Sequence, residues 1–142
     1  MPALTSQQAR TIIDAAFAAA RKASFKPMGV VVIDASAQVV ASAREDGATA
    51  LRLDIALGKS GAAVGMGCNS RALVQRAKDM PAFFGAVSAV AQQKFIPQTG
   101  AVLILDAQGA VIGAAGASGG TGDEDEQIVI AGIEAAGLKP GA

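Results

Sequence analysis

Residues 30–48, VVVIDASAQVVASAREDGA, read almost the same as residues 102–120, VLILDAQGAVIGAAGASGG. Each copy is an apolar run, a turn carrying an aspartate (Asp34 or Asp106), a second apolar run, and a polar or glycine-rich tip. Short β-branched runs separated by turn residues predict β-hairpins. The chain is therefore expected to build on two like hairpins, Met28 to Ile33 with Val39 to Ala43, and Val102 to Leu105 with Val111 to Ala115. The tips are unlike, AREDGA in one copy and GASGGTGDEDE in the other. Function is expected at those tips.

The flanking segments read as helices. Thr5 followed by Gln8 is a capping-box signature, and Ile12, Ile13, Ala16, Phe17 and Ala20 recur at helical spacing. A second helix is predicted from Thr49 to about Met66. Its Gly58, Gly61 and Gly65 suggest either close backbone packing or room for a ligand. Asn69 or Ser70 can cap a short third helix running through Lys78. The segment 82–98 is ambiguous, with short strands as one reading. Its three phenylalanines, Phe83, Phe84 and Phe95, are expected in the core. Asp123 with Glu126 fits an N-cap box for a last helix, and Gly137-Leu138 reads as a Schellman stop. Helix, two strands, helices, strands and helix imply an α+β fold around a mainly antiparallel sheet.

At 142 residues the chain fits one domain, 1–142, with a sizeable core. Twelve basic and twelve acidic residues cancel, which argues against nucleic acid and anionic membrane surfaces as partners. No apolar stretch is long enough to span a bilayer, and MPALTSQQAR lacks the pattern of a signal peptide. A single cysteine, Cys68, suits the cytoplasm. The chain has no histidine, which excludes Ser-His-Asp and Cys-His nucleophile systems and histidine-ligated metal. Pro2 would be a general base only if Met1 were removed. It reads more simply as a residue preceding the first helix.

Arg44, Asp46 and Lys59 stand out as a possible binding set. An arginine offers a planar fork to a carboxylate or phosphate, a lysine adds a point charge, and an aspartate can orient either. A solvated Arg–Asp surface pair accounts for the same tip. In the second tip, Ser118, Gly119 and Gly120 could bring backbone N–H groups to an anion. The acids behind them either complement the helix dipole or hold a hard cation.

IDASAQVVASAREDGA, a lysine in the next helix, and GAVLILDAQGAVIGAAGASGG followed by DEDE together resemble the GlcG/HbpS-like family, also called haem-degrading or PduO C-terminal-like. The resemblance covers nearly the whole chain. It implies a profilin-like fold, a central antiparallel sheet of about five strands flanked by helices. It also implies symmetric homo-oligomers, with haem as ligand in some members and a place beside catabolic enzymes in others. The family's polar cluster maps to Arg44, Asp46 and Lys59, its glycine-rich tip to Ser118, Gly119 and Gly120, and its helical acid to Asp125 or Glu126. Ala37 stands where the family usually has glycine, and Gln98-Thr99-Gly100-Ala101 replaces its usual Gly-Gly-x-Pro. With no histidine, a haem iron would need a hydroxyl, Met66, Met80, Cys68 or Lys59.

Two functions are expected on these grounds. One is a cytoplasmic, oligomeric accessory protein that binds a small anionic molecule, haem or an organic acid, through Arg44, Asp46, Lys59 and the glycine lip. The other is a hydrolase, deaminase or isomerase acting on a small acid, with Asp46 or Glu126, or Lys59, as the acid–base group. A purely structural subunit of an oligomer is the plainest alternative.

Overall fold

The structure is a computed structural model that describes residues 3–92 and 94–142. Pro2 lies outside the described residues. The elements, in chain order, are α1 (Ser6–Lys22), β1 (Gly29–Asp34), β2 (Val39–Arg44) and α2 (Arg52–Met66). A 3-10 turn (Ser70–Ala72), α3 (Leu73–Asp79) and α4 (Pro81–Val90) come next. The chain ends with β3 (Ala101–Leu105), β4 (Val111–Ser118), α5 (Gly122–Ala135) and β5 (Lys139–Pro140). The five strands form one antiparallel sheet in the order β2-β1-β4-β3-β5. This is the expected α+β arrangement. Its fifth strand comes from the C-terminus and not from segment 82–98.

The two hairpins match in detail. Asp34 Oδ1 accepts N–H groups from Ser36 and Gln38, and Asp106 Oδ1 accepts them from Gln108 and Ala110. Both copies carry a register shift at the same place, Val32/Ile33 and Ile104/Leu105. Gly109 takes φ +82° in the second turn, and Ala37 takes φ +63° in the first. Alanine there pays the left-handed steric penalty that glycine escapes.

The sheet is covered on both faces. On one, α1 and α5 pack over Val30, Val32, Val102 and Ile104. On the other, α2 lies across Val31, Ile33, Leu103 and Ala114. A third cluster joins Ala62 of α2 to Leu73, Phe84 and Phe95. The capping box of Thr5 and Gln8 is present. So is the Schellman stop: the N–H of Leu138 donates to Ile133 O and that of Gly137 to Glu134 O.

Three local expectations change, and the two readings of the α2 glycines separate. Segment 81–90 is a helix, because Pro81 sits at its start where no N–H is needed. Phe84 and Phe95 are buried as expected, while Phe83 is 48% exposed. Asn69 and Ser70 do not cap a helix. Asn69 Oδ1 accepts the N–H of Leu103, and Ser70 Oγ accepts that of Ala101, so both stitch the 3-10 turn to β3. Gly58 and Gly61 make room for the chain itself: a Cβ on Gly58 would sit 2.6 Å from Ile96, and one on Gly61 would overlap the Lys94 carbonyl. Gly65 faces open space.

Three substitutions test this packing by chemical denaturation. Ala37→Gly should stabilise by about 0.5–1 kcal/mol through relief of the positive φ. Gly65→Ala should also stabilise, by roughly 0.5–1 kcal/mol, from helix propensity alone. Gly61→Ala should instead destabilise by about 1–3 kcal/mol through overpacking.

Candidate functional site

The site lies where α2, the end of β4 and the start of α5 meet. Small residues on β4 let α2 approach the sheet, since a Cβ on Gly116 would press 2.6 Å from the Ala56 carbonyl. From α2, the Lys59 ammonium donates to Asp125 Oδ2 at 2.8 Å and to Ala117 O at 3.1 Å. The other Asp125 oxygen accepts the Gly120 N–H at 3.0 Å. Lys59 is 6% and Asp125 1% exposed, so this ion pair is taken out of water. Desolvation pushes the Asp125 carboxyl above its ordinary value. Lys59, the Gly120 N–H and the charge of Arg52 act against that rise without cancelling it.

Arg52 begins α2 beside this pair. Its Nε donates to Thr49 Oγ1 at 2.8 Å, and its Nη1 to Ser118 Oγ at 3.1 Å. Gly29 of β1 supports it, because a Cβ there would touch Arg52 Cβ at 3.0 Å. Arg52 forms no ion pair among the described residues. Three of its five N–H groups remain for another partner.

These groups line a cleft of about 420 Å³. Lys59, Asp125, Ser118 and Gly120 form its polar floor, Arg52 one flank, and Ile55, Val74 and Ile96 an apolar wall. At its rim Arg71 binds both Asp123 and Glu126, tying the 3-10 turn to α5. Thr121, with Glu124, caps α5 in a full capping box. The expected Asp123–Glu126 box is therefore displaced: the helix starts earlier, and those two acids serve Arg71.

The sequence-predicted residues separate into two groups. Lys59, Ser118 and Gly120 line the cleft, and Gly119 sits behind its lip, where a Cβ would overlap the Pro27 carbonyl. The Gly120 N–H, expected to meet an anion, is already given to Asp125. Arg44 and Asp46 line a different depression with Phe17, Arg21 and Pro27. Arg44 and Ser118 do share a row of the sheet, one on either side of Gly29. That places them two strand spacings apart, roughly 10 Å. Glu126 is held at the rim by Arg71, and Asp125 is the acid that meets Lys59.

Sequence reasoning set Arg52 on the helix face of Lys59 without giving it a role, and it gave Gly100 none. Arg52 shares a helical face with Lys59, and that spacing was the one signal for it. Gly100 carries no local signal. It lets the chain before β3 close over Lys59, where a Cβ would lie 2.7 Å from Nζ. Cys68 packs beside the third apolar cluster, and burial raises its thiol pKa, so it is no activated nucleophile. Among the described residues no group of His, Cys, Asp or Glu is arranged to hold a metal ion, and no helix is long and apolar enough to cross a membrane.

The profile of the family described as "haem degrading protein HbpS-like" matches residues 4–134. Among solved structures the chain superposes on a PduOC–haem complex with a TM-score of 0.86, at 23% identity over 99% of this chain and 100% of that one. It superposes on HbpS at 0.81 and 26% identity, covering 94% and 90% of the two chains. A Klebsiella pneumoniae protein, ORFY, gives 0.84 at 22% identity, with 94% and 90% covered. No curated protein sequence matches significantly.

Removing one partner of the buried pair should expose its dependence on the other. Lys59→Met or Asp125→Leu alone should destabilise by about 3–5 kcal/mol, and the double variant should recover most of that loss. The pair also has a pH signature. The native state keeps the Asp125 proton to higher pH than the unfolded chain does. Stability should therefore fall as pH rises from the ordinary carboxylate range through the raised pKa. Urea unfolding across that range should show this segment flattened in the double variant.

Proposed function

Because this chain belongs to the haem-degrading HbpS-like family, we propose that it is a small-molecule-binding accessory protein whose ligand presents a carboxylate to Arg52. One observation carries this reading. Arg52 is a half-buried guanidinium that flanks a cleft and has only hydroxyl partners. Its free N–H groups offer charge-assisted, directional bonds to a planar anion. Lys59 adds positive potential from the floor, tempered by Asp125. The neutral overall charge fits a small ligand better than nucleic acid. A lone unpaired cysteine fits a cytoplasmic setting.

A small organic acid and haem both carry the required group. Family membership and the haem complex of a structural relative favour haem. The cleft suits its propionates better than its iron. Met66 and Cys68 pack at the third apolar cluster, and Met80 is exposed beyond α3. Of the cleft-lining nitrogen donors, Lys59 is bound to Asp125 as an ammonium. Haem would thus be held by its carboxylates and by the apolar wall of Ile55, Val74 and Ile96.

The catalytic reading has less support. Asp46 lies in another depression and Glu126 is engaged by Arg71. The one acid on the cleft floor, Asp125, has both oxygens hydrogen-bonded and positions the lip. We also propose self-association, supported by exposed apolar side chains on and beside α4, Met80, Phe83 and Val90.

Calorimetric titration with small carboxylic acids, and absorbance titration with haem, test the binding mode. Arg52→Met should weaken the bound ligand roughly tenfold or more, and Arg44→Ala should leave its affinity unchanged. The reverse pattern would move the site to the first tip. Light scattering should show an oligomer, and a clean monomer would overturn the self-association.

A further inference from the structure

A second depression, of about 470 Å³, lies on the other side of the glycine lip. Arg52, Gly120 and Thr121 line both it and the cleft, so the two are continuous around the guanidinium. Lys26 lines this depression together with Arg52. Resting on the proposal that Arg52 takes a carboxylate, we infer that the ligand is a two-carboxylate molecule, with one group on Arg52 and the second on Lys26.

Two cations without ion-pair partners among the described residues, on one depression, carry the inference. Asp125 pairs with Lys59, and Asp123 shares Arg71 with Glu126. Glu124 gives one oxygen to the Thr121 N–H, at the N-terminus of α5, where its charge complements the helix dipole. Like Glu124, Arg52 and Lys26 form no ion pair among the described residues, and these two cations line one depression. A monoanion on Arg52 leaves Lys26 facing water. A second carboxylate on a short chain engages both cations.

Lys26 is an exposed lysine, but its backbone is braced. Arg21 Nη2 donates to the carbonyls of Phe25 at 2.6 Å and Lys26 at 3.0 Å, while its Nε donates to Glu45 Oε2 at 3.0 Å. Glu45 also accepts the Met28 N–H at 2.9 Å. The central acid of the AREDGA tip thus holds the segment that presents Lys26. The first tip contributes to the site through Glu45, by placing a cation contributed by another loop.

A free aliphatic diacid and haem, with its two propionates, share this chemistry. Matched pairs separate them: glutarate against monomethyl glutarate by calorimetry, and haem against haem monomethyl ester by absorbance, both at low ionic strength. The diacid of at least one pair should bind about fivefold more tightly than its monoester, the scale of one exposed ion pair. Lys26→Met should abolish that ratio without weakening the monoester. Lys22→Met, which removes an equal charge nearby, should preserve it. Equal affinities within both pairs, a ratio that survives Lys26→Met, or a ratio lost equally in Lys22→Met would overturn the second contact. Monoester binding that Arg52→Met leaves unchanged would instead locate the failure in the single-carboxylate reading.

Discussion

The Lys59–Asp125 pair ties α2 to the first turn of α5 by a buried ion pair. Through three hydrogen bonds it fixes α2 to the last residues of β4, to the glycine lip and to the first turn of α5. Such a buried pair is a poor source of net stability, because desolvation of both ions offsets much of their attraction. Its contribution is positional. Without it, the lip would lose the carboxylate that holds the Gly120 N–H. The same desolvation pushes the Asp125 carboxyl above its ordinary value against the pull of Lys59.

The repeated hairpin explains why the site forms at one end of the sheet. In the order β2-β1-β4-β3 the copies stand side by side in the same orientation. The exits of β2 and β4 therefore emerge at the same sheet end, and Arg44, Gly29 and Ser118 share a row. Beyond their second strands the copies diverge. After β2 the chain turns into α2, whose first residue, Arg52, reaches back to Ser118. After β4 it turns at once into α5. The site is thus made by the start of one helix bonding to the exit of the other copy.

The hairpins, α1 and the stop of α5 were legible because their signals are local: β-branched runs, a capping box, a glycine followed by leucine. Helix α4 was not, because PAFFGAVSAV is apolar almost throughout and shows no period from which to read a face. The site was half legible. Lys59 was visible as an isolated charge among small residues, and its partner as one of two adjacent acids. Choosing Asp125 over Glu126 requires the start of α5 to within one residue, and the true cap, Thr121, competes with Asp123 on nearly equal terms. Arg52 was legible only as an arginine two helical turns before Lys59 on the same face. Its difference from Arg44 is a sheet register, a long-range property that neither residue's neighbours encode.

The character of the cleft limits how it can discriminate among ligands. Its floor is polar and its apolar wall is short, so burial of hydrocarbon can supply little selectivity. Charge geometry must supply the rest. Arg52 is suited to this because Thr49 and Ser118 hold its guanidinium before any ligand arrives, so little side-chain freedom is lost on binding. Both holders are neutral. A carboxylate in either position would have fixed the arginine equally well while cancelling the charge it presents. Hydroxyls fix the geometry and leave the charge uncancelled.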